Sequence, residues 1–182
     1  MMRIDVGSVL RHSANLPYGD LVTRSTGAAV RRCIEAELAG LGEDDVATLD
    51  FTHIGMMDYS CADEVVAKLL LDLARRGARP SSLVFHGITD AHLEAIEDVL
   101  LHHGLALVVH FADGAARLVG AVSEEERIIW QLVHTRGGVQ AEDLAAERDR
   151  AADEVLLVLE ALYDRRLLRR DGFTFAPIGV VS

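Results

Sequence analysis

The sequence predicts an α/β fold, with a mixed, mainly parallel sheet packed against helices, followed by a small α+β domain. Three short apolar runs have the length and composition of buried strands, namely VATLDF (46–51), SLVFHG (82–87) and LALVVH (105–110). Amphipathic segments of helical length separate these runs, which implies βαβ crossovers and parallel pairing. After VSEEER the alternation ends, so we place one domain at 1–122 and a second at 123–182.

The first part of the chain is expected to supply edge strands and one helix. Residues 2–10 and 20–23 have the composition of short edge strands. The segment 25–42 carries an apolar stripe at helical spacing, which consists of Val30, Cys33, Ile34, Leu38 and Leu41. Cys33 and Cys61 are predicted to be reduced thiols that face the core rather than partners in a disulfide.

Two further helices are predicted between the buried strands. The first, 61–76, ends with two arginines ahead of Gly77, which is typical of a helix terminus. The second, 90–102, carries an apolar face formed by Leu93, Ile96, Leu100 and Leu101. A final strand, ARLVGAV at 116–122, follows the hairpin-like turn ADGA. Together these elements predict one open α/β layer.

The C-terminal segment predicts three helices and a hairpin. Ser123 caps the first helix, 124–134, whose inward-facing residues are Ile128, Ile129, Leu132 and Val133. The short segment VQAEDLAAERD and the longer 151–166 form the second and third helices. Asp171-Gly172 is a strong hairpin signal. This order resembles a winged helix-turn-helix domain.

Composition argues against several classes of function. The net charge is −11, from 29 acidic and 18 basic residues, which gives a poor field for holding a polyanion. No apolar run approaches the roughly 18–20 residues that span a bilayer, and no long apolar segment opens the chain. We therefore expect a cytoplasmic protein with no membrane association. The sequence has no G-x-G-x-x-G, P-loop, C-x-x-C or H-x-x-x-H motif, so we expect no cofactor and no metal.

One segment carries a family resemblance. VATLDFTHIGMMDYSCADEVVAKLL resembles the signature of the STAS domain, the fold of bacterial anti-sigma-factor antagonists. That signature is a buried strand ending in Asp, a short loop, and Asp-Ser-Ser-Gly opening a helix. Asp50, Asp58 and Ser60 match it, whereas Tyr59 replaces the first Ser and Cys61 replaces the Gly. SCADE is also similar to STAS-like domains of unknown function, and the resemblance covers roughly residues 15–110.

The resemblance implies a role for Ser60. The second Ser of the signature is the usual phosphoacceptor for a partner serine kinase, so it implies a phosphoacceptor at Ser60. It also implies a non-enzymatic signalling protein whose partner is kinase-like or a sigma or anti-sigma regulator. The expected partner-binding residues surround this position and are Asp58, Tyr59, Ser60, Cys61, Asp63 and Glu64.

The residues themselves leave two interpretations of Ser60. Ser60 and Asp63 are three apart, a capping-box-like spacing in which the hydroxyl only caps the helix. Alternatively, a phosphate on Ser60 would meet exposed N–H groups and the positive end of the helix dipole. Asp58, Asp63 and Glu64 would surround that phosphate with negative charge. It would then repel an acidic partner or disrupt a docking surface.

Two other functions stay open. A winged helix would bind DNA through its third helix and its wing, with the candidate residues Arg148, Arg150, Arg165, Arg166, Arg169 and Arg170. The segment 123–182 carries 8 arginines against 12 acidic residues, which favours a protein-interaction or dimerisation module, a homodimer included. A Ser–His–Asp hydrolase would need Ser60 beside His53, but the sequence has no G-x-S-x-G elbow.

Overall fold

The protein is described here by a computed structural model that covers residues 2–15, 19–42, 45–75 and 82–179. The chain divides into two compact units, an N-terminal unit within Met1–Ala121 and a C-terminal unit, Val122–Gly179. In the described part of the chain, no helix is long and apolar enough to cross a membrane.

The N-terminal unit is built on a five-stranded sheet. Its strands are β1 (Met2–Asp5), β2 (Val46–Asp50), β3 (Ser82–Ile88), β4 (Ala106–Phe111) and β5 (Ala116–Gly120). They pair in chain order, the first four in parallel and β5 antiparallel to β4. The predicted α/β class and the mainly parallel sheet are thus confirmed.

Helices connect the parallel strands. They are α1 (Val6–Ala14), α2 (Arg24–Leu38), α3 (Tyr59–Ala62), α4 (Leu69–Arg75) and α5 (Asp90–His103). A π-helical segment, Asp63–Lys68, joins α3 to α4 without a break. Because each crossover moves to the next strand in the same direction, right-handed connections place these helices on one face of the sheet. The core lies between the two layers, where Phe51 and Phe85 stack with ring centroids 4.9 Å apart.

The structure corrects the predicted start of the chain. Only residues 2–5 of the predicted strand 2–10 are extended, because Asp5 accepts a hydrogen bond from the Ser8 N–H and caps α1. Val6, Val9 and Leu10 are buried at helical rather than alternating spacing. The predicted strand 20–23 is reduced to one isolated parallel bridge between Leu21 and Met57.

Three predicted side-chain orientations are also wrong. Cys33, Leu101 and Ile128 are exposed, Leu101 to 60% and Ile128 to 37%. Each lies beside a buried stripe that is narrower than predicted, since α2 buries only Gly27, Val30, Ile34 and Leu38. Cys61 is buried, as predicted. The predicted helix end at Gly77 lies outside the described residues.

The C-terminal unit contains three helices and a hairpin. The elements are α6 (Glu124–Arg136), α7 (Ala141–Arg148), α8 (Ala152–Asp164), β6 (Leu168–Asp171) and β7 (Thr174–Pro177). Ser123 caps α6 in a capping box with Glu126, as predicted for Ser123. The buried Trp130 donates its indole N–H to the Leu167 carbonyl oxygen at 3.1 Å. Val139, between α6 and α7, forms an antiparallel bridge with Phe175 of the hairpin.

Candidate functional site

The loop that leaves the carboxyl end of β2 is held by residues distant in sequence. The Leu21 N–H donates to the Met56 carbonyl oxygen at 2.7 Å, and the Asp58 N–H donates to the Leu21 carbonyl oxygen at 3.1 Å. The fully buried His92 of α5 donates from Nε2 to the Gly55 carbonyl oxygen at 2.8 Å. The loop therefore has a fixed conformation.

Two glycines allow neighbouring segments to approach this loop closely. A Cβ atom at Gly19 would lie 2.7 Å from the His53 carbonyl oxygen, and one at Gly87 would lie 2.4 Å from Thr52 Oγ1. Gly87 also has a φ of 71°, which side chains with a Cβ atom rarely adopt. A larger residue at either position would displace the loop.

Asp58, and not Ser60, caps the helix that follows the loop. Asp58 Oδ1 accepts the Cys61 N–H at 2.8 Å and also the Ser60 hydroxyl at 2.8 Å. The prediction that Ser60 is the cap is wrong, because the carboxylate two residues earlier already reaches the third N–H of the helix. Burial alone would raise the pKa of Asp58, but the hydrogen bonds from Cys61, Ser60 and Thr23 lower it below its ordinary value.

Thr23 joins the start of α2 to this cap. Its N–H donates to Asp58 Oδ2 at 3.2 Å, and its carbonyl oxygen accepts the Cys61 thiol at 2.9 Å. Thr23 has a φ of 76°, a left-handed conformation that is unusual for a β-branched residue. Backbone outliers of this kind cluster at functional sites. The two helix starts are therefore locked together at Asp58.

Exposed apolar side chains surround this junction. Met56 is 65% exposed, Tyr59 43% and Val22 37%, while Ser60, directly after Tyr59, is half-buried. We call Val22, Met56, Asp58, Tyr59 and Ser60 the Ser60 surface. Asp58, Tyr59 and Ser60 were predicted from the sequence, whereas Val22 and Met56 were not. The sequence shows two methionines directly before Asp58 but does not distinguish exposed Met56 from buried Met57.

Asp63 and Glu64 do not belong to this surface. Both lie in the π-helical segment and are buried, with exposures of 8% and 3%. Asp63 pairs with Arg24 at 2.6 Å and with His103 at 2.8 Å. Glu64 pairs with Arg24 at 3.1 Å, with Arg31 at 3.2 Å and with Lys68. Their predicted role in contacting a partner is corrected, because these carboxylates form an internal ion network.

The network holds its carboxylates in the ionised form. Burial alone would raise the pKa of Asp63, but hydrogen bonds from Arg24 and His103 lower it. Burial would likewise raise the pKa of Glu64, and hydrogen bonds from Lys68 and Arg24 lower it. With these charges neutralised inside the unit, Asp58 is the carboxylate that faces the Ser60 hydroxyl.

Cys61 is also inaccessible to a partner. Its side chain is fully buried, and its thiol donates to Thr23. Burial and the charge of Asp58 raise the pKa of Cys61 to about 12, so it stays a thiol at neutral pH. The predicted contact of Cys61 with a partner is corrected to a packing role in the junction.

The structure does not bring Ser60 and His53 together as a Ser–His–Asp hydrolase would require. Ser60 donates to Asp58, while His53 Nδ1 lies 3.5 Å from Asp5 Oδ2. In the part of the chain that the structure describes, no hydrogen bond joins Ser60 to His53. Asp50, at the end of β2, accepts the Thr52 N–H at 3.0 Å and pairs with Arg3 at 2.7 Å.

Three of the six arginines proposed for DNA contact are engaged in ion pairs within the C-terminal unit. Arg150 pairs with Glu125 at 2.9 Å, and Arg170 lies 3.6 Å from Glu160. Arg165 pairs with Glu126 at 3.2 Å. These ion pairs offset the positive charge that a phosphate would require.

The other three candidate arginines differ from one another. Arg166 is half-buried with a φ of 61°, and its burial lowers its pKa. Arg148 and Arg169 are exposed and make no ion pair with any described residue. Of the six candidate arginines, Arg148 and Arg169 are thus the two that are exposed and without an ion pair among the described residues.

Among residues 2–15, 19–42, 45–75 and 82–179, no group of three or more His, Cys, Asp and Glu side chains is placed to hold a metal ion. Comparison of the chain with protein-family models, with curated proteins and with solved structures finds no match.

Proposed function

We propose that this chain is a non-enzymatic regulatory protein that binds a protein partner through the Ser60 surface. One observation carries the proposal: a loop fixed from several sides presents exposed Met56 and Tyr59 beside a hydroxyl in the first turn of a helix. Methionine and aromatic side chains are enriched at the centres of protein interfaces. A fixed conformation reduces the ordering cost of binding.

The resemblance to STAS domains supports a particular class of partner. It favours a kinase-like protein or a sigma or anti-sigma regulator in the cytoplasm, with Ser60 as the phosphoacceptor. A phosphate on Ser60 would replace the hydroxyl that donates to Asp58 at 2.8 Å and would place negative charge beside that carboxylate. Phosphorylation would therefore alter the Ser60 surface without unfolding the unit behind it.

The proposal is tested by affinity purification of the tagged full chain from its native cells, compared across variants. Ser60→Asp and Met56→Glu place a charge on the Ser60 surface, and Ser60→Ala only removes a hydroxyl. Leu101→Glu is the matched control, since Leu101 is 60% exposed on α5. We expect a partner whose recovery falls at least about tenfold with Met56→Glu and Ser60→Asp and is unchanged with Leu101→Glu. Equal recovery with all four variants would contradict the proposal.

The DNA-binding alternative receives less support. The bridge between Val139 and Phe175 favours a winged-helix-like arrangement, and Arg148 and Arg169 are free to meet phosphates. The helix that would enter the groove is α8, which carries acidic residues and no basic ones. A helix of that charge repels a polyanion.

A further inference from the structure

The outer face of α8 combines apolar and acidic side chains. Asp153, Leu157, Ala161 and Asp164 follow one another at spacings of three or four residues, so they share one face of the helix. All four are exposed, and Leu157 is 67% exposed. The opposite face buries Val155, Leu159 and Leu162 against the rest of the unit. A leucine on the solvent face is therefore not explained by the core.

The hairpin adds a second apolar side chain near this helix. Arg170 lies 3.6 Å from Glu160 of α8 and donates from Nε to the Gly172 carbonyl oxygen at 2.7 Å, so it ties the turn to the helix. The next residue, Phe173, is 79% exposed. We call Asp153, Leu157, Ala161, Asp164 and Phe173 the α8 face.

The two aspartates of this face differ from the neighbouring glutamates in their pairing. Glu154 pairs with Arg150 at 2.9 Å, and Glu160 is engaged by Arg170. Asp153 and Asp164, at the two ends of the exposed stripe, make no ion pair with any described residue. An apolar centre is thus flanked by two free negative charges about one helix length apart.

We propose that the α8 face binds a basic amphipathic helix of a protein partner. Apolar side chains of that helix would contact Leu157 and Phe173, and Lys or Arg residues on either side would pair with Asp153 and Asp164. The negative field excludes a phosphate backbone as the occupant. It also disfavours a second copy of this chain, because an isologous contact would bring the same acidic groups together. This binding is independent of the Ser60 surface.

The direct test uses two synthetic helical peptides and the full chain. One peptide carries leucines at spacings of three and four residues with arginines on both sides, and the other carries glutamates in place of the arginines. We expect the basic peptide to bind, by fluorescence anisotropy, and the acidic one not to bind. Leu157→Gln and Phe173→Gln are each expected to weaken binding about tenfold, whereas Leu101→Gln leaves it unchanged.

A charge-matched pair of variants separates the acidic ends of the α8 face from the overall charge. Asp153→Asn with Asp164→Asn is expected to weaken binding and to flatten its dependence on salt. Glu94→Gln with Asp98→Asn changes the net charge equally in α5 and is expected to have no such effect. Equal losses in both double variants would overturn the proposal, as would equal binding of both peptides or no binding of either. Because all the substituted side chains are exposed or partly exposed, an unchanged circular dichroism spectrum checks that each variant is folded.

Discussion

Because Asp58 caps the helix, we expect Asp58→Ala to lower the free energy of unfolding more than Ser60→Ala does. Ser60→Ala removes one hydrogen bond, from a half-buried hydroxyl to a carboxylate at 2.8 Å, and is expected to cost about 0.5–1 kcal/mol. Asp58→Ala removes that bond, the capping bond to the Cys61 N–H and the bond from the Thr23 N–H. The lost cap alone costs about 1 kcal/mol, so we expect a total of about 2 kcal/mol.

Urea unfolding followed by circular dichroism measures both free energies of unfolding. Asp58→Asn is the control, since an amide still caps a helix and should recover about half of the loss. A cost for Ser60→Ala equal to or greater than that for Asp58→Ala would refute the reasoning, because it would make the hydroxyl the principal cap.

Three further predictions follow from buried groups. With a thiol reagent at pH 8, exposed Cys33 should react quickly and buried Cys61 only after unfolding. Cys33→Ser should remove the fast reaction. Two fast-reacting thiols in the native protein would contradict the burial of Cys61. Glu64→Ala should lower the free energy of unfolding by about 1–3 kcal/mol, because it removes the buried carboxylate that accepts hydrogen bonds from Arg24, Arg31 and Lys68. Arg24 keeps Asp63 and Arg31 keeps Glu35 as a partner, which limits the loss; a loss below about 0.5 kcal/mol would contradict the network. Burial alone would raise the pKa of Asp50, but hydrogen bonds from Thr52 and Arg3 hold it well below its ordinary value of 3.8, so its contribution to stability is complete above that pH and is lost as the pH falls further. Unfolding titrations should then give a flatter acid dependence for Asp50→Asn than for the natural chain, and parallel curves would contradict the assignment.

The sheet could be predicted from the sequence because its strands carry their own signal. β2, β3 and β4 are continuous apolar runs separated by helical periodicity, which is the pattern of parallel strands joined by crossover helices. The boundary between β1 and α1 was missed because the apolar residues here fit the spacing of a strand and of a helix about equally. These residues are Ile4, Val6, Val9 and Leu10. Asp5 as a helix cap was the signal that decides between them.

The candidate site was harder to predict, for two physical reasons. Asp58 and Ser60 both have side chains that cap helices, and only the residue at which the helix begins decides which of them does so. Charged side chains are normally exposed, yet Asp63 and Glu64 are buried because other side chains neutralise them. Their partners include Arg24, about forty residues earlier in the sequence, and His103, about forty residues later. Such distant partners are set by tertiary packing and leave no local pattern in the sequence.

The most direct test of the account is site-specific photocrosslinking in native cells. A benzophenone amino acid at Tyr59 reports contacts at the Ser60 surface, and the same group at Leu101 reports contacts at another exposed position, on α5. The account predicts one discrete crosslinked partner from position 59, reduced by Ser60→Asp, and none from position 101. The same products from both positions, or a position 59 product indifferent to Ser60→Asp and Met56→Glu, would contradict it.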